Sequence, residues 1–139
     1  MNRILIDTNI ILDLILNRLP FSKEATSLFE KIADKRLIGY ITSNSVTDIV
    51  YISKKSFSSE EIKKVILNLL KLIKIISVDE IDIIEAFNLD FKDFEDALQS
   101  QCSKKSKIDF IVTRNEKDFK DSETPAISIG KFLDLLKNA

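Results

Sequence analysis

Apolar residues along this chain follow two rhythms. Short, nearly continuous runs rich in branched side chains occur from about Arg3 to Ile6, and as "LIGYIT" (37–42), "IKIISV" (73–78), "IDFIVT" (108–113) and "AISI" (126–129). Runs of this length that do not alternate with polar residues predict strands buried on both faces. Between them the spacing changes to that of a helix. Pro20 opens a helix over 20–35 whose stripe is Ala25, Leu28, Phe29, Ile32 and Ala33. A second helix starts near Ser45 and carries Val46, Ile49 and Val50. Ser58 and Glu61 have capping-box spacing ahead of Ile62, Val65, Ile66, Leu69 and Leu70. Asp79 caps a helix through Phe87, another covers 94–105, and the last covers 130–138. Strands that alternate with helices imply βαβ units. The expected fold is therefore α/β, a three-layer α/β/α sandwich around a central, mainly parallel sheet of about five strands, with residues 1–139 as a single domain.

One run departs from this pattern. "ILIDTNIILDLIL", from Ile4 to Leu16, is apolar except at Asp7, Thr8, Asn9 and Asp13. Asp7 stands at the carboxyl end of the first strand, and open parallel sheets bind ligands beyond that end. Capping of the next helix by Asp7 or Thr8 would explain this acid in isolation. Other acids repeat the theme. "DFKDFEDALQ" puts Asp90, Asp93, Glu95 and Asp96 at the entry of a helix, where the helix dipole favours acids. Phe94, Ala97, Leu98 and Cys102 make the buried stripe of that helix, and Asp93 and Asp96, three apart, share another face. "FIVTRNEKDF" ends a second strand with Thr113, Arg114, Asn115 and Asp118. Asp48 interrupts "VTDIVYI", where a lone charge is costly without a partner.

Composition narrows the chemistry. The chain has no histidine, one cysteine (Cys102) and two glycines, Gly39 and Gly130. A histidine base, a serine–histidine triad, a zinc cluster and a glycine-rich phosphate loop are excluded. The net charge of −1 provides no global basic field. Phosphate contacts would fall to local cations, with Lys54, Lys55, Lys63, Lys64, Lys104, Lys105, Lys107 and Arg114 as candidates. No stretch is apolar enough to span a bilayer, no signal peptide is evident, and a lone cysteine suits a reducing compartment, so a cytoplasmic location is expected. Several carboxylates at one end of a sheet would repel one another and raise one another's pKa values. Magnesium or manganese relieves this, prefers a few carboxylates plus waters, and supports phosphodiester hydrolysis.

These stretches resemble the signatures of the PIN-domain family of nucleases, in order and over nearly the whole chain. "LIDTNIILDLIL" resembles the opening signature, with Asp7 as its aspartate and Thr8 and Asn9 behind it. "TSNSVTDIVYI" resembles the helix that brings the second acid, with Asp48 where the family usually has glutamate. "DFEDALQ" resembles the third signature and places its metal-binding aspartate at Asp96. "IVTRNEKDF" resembles the fourth, with Asn115 where the family often has aspartate and Asp118 as the nearby acid. The resemblance implies a magnesium- or manganese-dependent endoribonuclease. Asp7, Asp48, Asp96 and Asp118 would be its catalytic and metal-binding acids, and Thr8, Asn9, Asp93, Thr113 and Asn115 would support them, with Thr8 and Asn9 orienting Asp7. It also implies an RNA substrate, homodimers and, for the toxins among these nucleases, a small antitoxin partner. Two rival readings stand beside it. Asp48 and Asn115 suit a PIN-like module that binds RNA or protein without cutting. A phosphotransferase with an aspartyl nucleophile would want an acid two residues after Asp7, where this chain has Asn9.

Overall fold

The computed structural model describes residues 1–138; Ala139, the last residue of the expected domain, lies outside them. The chain runs β1 (Asn2–Ile6), α1 (Thr8–Ile15), α2 (Ser22–Ala33), β2 (Leu37–Thr42), α3 (Ser43–Ser53), α4 (Ser59–Leu69), β3 (Lys74–Ile76), α5 (Glu80–Phe87), α6 (Phe94–Lys105), β4 (Phe110–Val112), a 3-10 turn (Glu116–Phe119), β5 (Ala126–Ile127) and α7 (Ile129–Lys137). All five strands pair in parallel, in the order β3-β2-β1-β4-β5.

Alternation along β1 separates the two cores. Ile4 and Ile6 face a core completed by Leu28 and Ile32 of α2, Ile49 of α3, Leu69 of α4 and Phe132 of α7. Leu5 faces the opposite core, with Ala86 of α5 and Ala97, Leu98 and Cys102 of α6. The α/β/α sandwich is thus set by which face each strand residue presents. Gly39 on β2 belongs to the first core for a steric reason. A Cβ there would lie 3.0 Å from both Ile32 Cδ1 and Ile73 Cγ2.

Local signals set the helix boundaries. The Ser58–Glu61 capping box is formed. Asp79 starts α5, its backbone N–H donating to Asp82. Three helices end in a left-handed residue that is not glycine: Asn17 (φ 51°), Lys35 (φ 59°) and Lys107 (φ 55°). In each, the following N–H bonds a carbonyl five residues back, as in Arg18 to Asp13, Arg36 to Lys31 and Ile108 to Ser103. These paired closing bonds are Schellman motifs. One expectation fails in α6. Phe94 is not in the buried stripe; it is 38% exposed and stacks on Phe87 of α5 at a centroid distance of 4.2 Å. It is the first residue of its helix and so stands at the rim of the core.

β1 pairs with β2 on one side and β4 on the other. The chain leaves β1 toward one edge and returns to its other flank, so a crevice opens beyond the carboxyl ends of β1 and β4. Asp7 and Thr113 sit there. Asp13, on α1, anchors the same end of the sheet from behind. It is 1% exposed. Arg18 Nε donates to its Oδ1 at 2.9 Å, and Arg114 Nε lies 2.9 Å from its Oδ2. Arg114 also stacks over the Phe21 ring, 3.9 Å from its centroid. A buried carboxylate is tolerated when cations and hydrogen bonds surround it.

Candidate metal centre

Asp7 continues the sheet by one residue beyond β1, its N–H donating to Val112 O at 3.0 Å. This fixes its backbone, and two donors fix its side chain. Thr113 Oγ1 donates to Oδ2 at 2.8 Å and Gln99 Nε2 donates to Oδ1 at 3.3 Å. The Asn115 N–H in turn donates to Thr113 Oγ1 at 3.1 Å. Asp7 is thereby held from β4 and α6, and only 7% of its surface is exposed.

Thr8 does not orient Asp7, contrary to expectation. Its hydroxyl donates to Glu95 Oε1 at 3.2 Å and lies 2.7 Å from Ser45 Oγ, which can donate to it. Thr42 caps α3 by accepting from the Ser45 N–H, so this network ties Glu95, α1 and the start of α3 together. Asn9 is exposed, and its carbonyl accepts from Arg18 at 3.0 Å. Thr8 begins α1 and Asn9 follows it, and the donors to the Asp7 carboxylate are Thr113 and Gln99 instead.

One groove of about 390 Å³ collects the polar residues. It is lined by Asp7, Thr8, Asn9, Asp48, Asp93, Glu95, Asp96, Asn115 and Asp118, with Leu12 and Ile52 as its apolar wall. Asp48 reaches it from α3. Asp93 caps α6, accepting from the Asp96 N–H at 3.0 Å. Asp118 comes from the 3-10 turn. Thr113 lies beneath, fully buried. No lysine or arginine lines this groove among the described residues.

The charges show how close the acids stand. Burial pushes the Asp96 carboxyl up to about 7, with help from Asp93, Asp7, Asp118 and Glu95. Glu95 is also raised, by burial first and then by Asp48, while its bond from Thr8 works the other way. Among the described residues no three acids are yet close enough to grip one ion. The donors are all hard oxygens, which fits magnesium or manganese and does not fit zinc. Asp7, Asp48, Asp96 and Asp118 could hold the ion, with Glu95 beside them.

A family model described as "PIN domain" matches residues 3–117. The chain belongs to the PIN-domain family. This PIN domain is similar in fold to several solved structures. A chain of the crystal structure of VapBC2 from Rickettsia felis bound to a DNA fragment from their promoter is 18% identical, with a TM-score of 0.67 over 91% of this chain and 98% of that one. A toxin–antitoxin complex from Klebsiella pneumoniae contains a chain 20% identical, with a TM-score of 0.67 over 90% and 96%. FitAcB from Neisseria gonorrhoeae contains one 15% identical, with a TM-score of 0.56 over 91% and 98%. No curated protein sequence matches this PIN domain.

Three site residues escaped the sequence reading as working members. Glu95 was visible only as one of an acid run. Gln99 lies one helical turn after Asp96, on the face toward β1, but a single glutamine gives no signal. Ser45 reads as a helix start. Three of the proposed phosphate contacts are otherwise engaged. Lys104 pairs with Glu123 at 3.4 Å. Arg114 is clamped by Asp13. Lys105 donates to Asp82 and to Ser77 O; burial works to raise Asp82, yet these contacts leave its carboxyl below the usual range.

Proposed function

We propose that this protein is a magnesium- or manganese-dependent endoribonuclease and the toxin of a toxin–antitoxin pair. The observation that carries the reading is the acid groove, in which five aspartates and Glu95 line one crevice without a facing cation. Asp7, Asp48, Asp96 and Asp118 would hold the ion. Once bound, a divalent cation supplies an activated water and charge stabilisation for phosphodiester hydrolysis. The chain's own residues do the rest. Thr113 and Gln99 keep Asp7 aimed, because both donate to its oxygens. Thr8 fixes Glu95, and the crevice end of the parallel sheet keeps all of them rigid.

The family and the similar toxin–antitoxin complex support an antitoxin partner; a cytoplasmic location and pairing with a second copy are part of the same proposal. No helix among the described residues is long and apolar enough to cross a membrane. Exposed Ile81, Ile84 and Phe87 on α5 supply an apolar face of the kind protein partners cover.

A second reading has its own support. Asn115 lines the groove where a carboxylate would add charge, and Asp48 reaches it with a side chain one methylene shorter than the glutamate usual in the family. These features suit a domain that binds RNA or protein without cutting. Turnover of single-stranded RNA by purified protein decides between the two readings. We expect cleavage with manganese, none with EDTA, and none from Asp96→Asn despite an intact fold. Wild-type protein that is inert with manganese would favour the binding module.

A further inference from the structure

A second, larger cavity of about 730 Å³ opens beside the acid groove. It is lined by Asp90, Phe91, Lys92, Asp93, Asp96, Lys117, Asp118, Lys120 and Asp121. Asp93, Asp96 and Asp118 line both cavities, so the two are continuous. They differ in cations. The acid groove has none, and its neighbour has three lysines from two elements, set among five aspartates. Lys92 comes from the loop before α6, while Lys117 and Lys120 belong to the 3-10 turn and its cap. Residues three apart eclipse on a 3-10 helix, so Lys117 and the cap residue Lys120 form one row. Among the described residues none of these lysines has a carboxylate within ion-pair distance, whereas Lys104, Lys105 and Lys131 each do. Phe91, half-buried and edge-on to Phe119, adds an apolar wall.

We propose that this cavity is a phosphate track for single-stranded polynucleotide. Lys117 and Lys120 would hold backbone phosphates next to the one presented to the acids. The assignment of RNA as the polyanion rests on the ribonuclease reading. The physical need is local. A polyanion that enters a wall of aspartates is repelled unless cations stand along its path. Bound metal supplies charge at the acid wall, and the lysine row supplies it one step further on.

The test measures binding rather than cleavage. The probe is a fluorescein-labelled oligouridylate, titrated at several salt concentrations with calcium as the divalent ion. Wild type, Lys117→Ala/Lys120→Ala and Lys117→Arg/Lys120→Arg are compared, and the manganese-induced melting shift of each is recorded. Loss of two phosphate contacts should lower the slope of log affinity against log salt by about 1.4 for a single strand. The alanine pair should show this loss, the arginine pair should keep the wild-type slope, and all three should keep the same manganese shift. This pattern, with or without cleavage activity, supports the track; if manganese cleavage were then absent, only the ribonuclease reading would fall. The track is overturned if the alanine pair binds with unchanged affinity and slope, if it loses the manganese shift as well, or if wild type does not bind the probe. A polyglutamate peptide that binds as tightly, with the same lysine dependence, overturns the assignment to polynucleotide.

Discussion

Asp13 and Asp96 are both acids inside a protein, and their surroundings give them opposite parts. Asp13 is enclosed by Arg18 and Arg114, so removing its charge leaves two guanidinium groups facing each other at a buried point. Asp13→Asn is expected to destabilise the fold by about 3 kcal/mol, read from the denaturant midpoint. Arg114 lies between Thr113, which holds Asp7, and Asn115, which lines the groove, so the same change should also weaken manganese binding. Among the described residues Asp96 has no ion-pair partner, and burial first, then the neighbouring acids, pushes its carboxyl up to about 7. The metal-free folded state therefore binds a proton that the unfolded chain has already released above about pH 4. Stability from this group is complete below that point and is lost as pH rises through 7. Melting of EDTA-treated protein from pH 5 to 8 should show this decline, and Asp96→Asn should flatten it. Metal uptake runs the other way, since the ligand must be ionised, so manganese should stabilise more at pH 8 than at pH 6. At this scale the sequence showed the acids and one support, Thr113, which donates to Asp7, but not the other. Asp7, Asp48, Asp93, Asp96 and Asp118 are conspicuous against apolar stretches, whereas Gln99 acquires meaning only when α6 packs on β1.

Each helix and strand follows from short-range signals, and the exceptions are informative. Ser58–Glu61 fixed the start of α4 in the sequence and in the fold. The helix predicted over 20–35 is α2, Ser22–Ala33. Its left-handed end is occupied by Lys35, because the chain has few glycines to spend on such positions. A Cβ at positive φ costs roughly 1–2 kcal/mol. Lys35→Gly should therefore raise stability by about 0.5–1 kcal/mol, after the loss of chain entropy in the unfolded state is offset. Equilibrium denaturation in urea measures this. Gly39 gives the opposite result. Its Cβ position is already filled by Ile32, Ile73 and Ile6, so Gly39→Ala should destabilise by about 1–3 kcal/mol through overpacking. The apolar runs showed β2 as a strand but could not show this contact, which joins residues far apart in sequence. Phe94 was misplaced for a related reason. Helical spacing put it on the Ala97–Leu98–Cys102 stripe, but a first-turn residue has core on one side only.

At the scale of the molecule, the alternation of strand and helix was enough to indicate a parallel sheet with helices on both faces. The order β3-β2-β1-β4-β5 was not legible. That order places the ends of β1 and β4 side by side and brings Asp48, Asp96 and Asp118 to Asp7 from three other elements. It also makes the acid groove continuous with the cavity that carries Lys92, Lys117 and Lys120, which no local pattern in the sequence foretold. The central claim is that these acids are gathered to hold a divalent cation. The most direct test is the melting temperature of wild type and Asp96→Asn at pH 8, each with EDTA and with manganese. An ion that binds only the folded state must raise its stability. The metal-free variant should melt at or above wild type, because one repelling charge is gone, and manganese should raise wild type strongly and the variant little. Equal manganese responses in the two proteins would contradict the account.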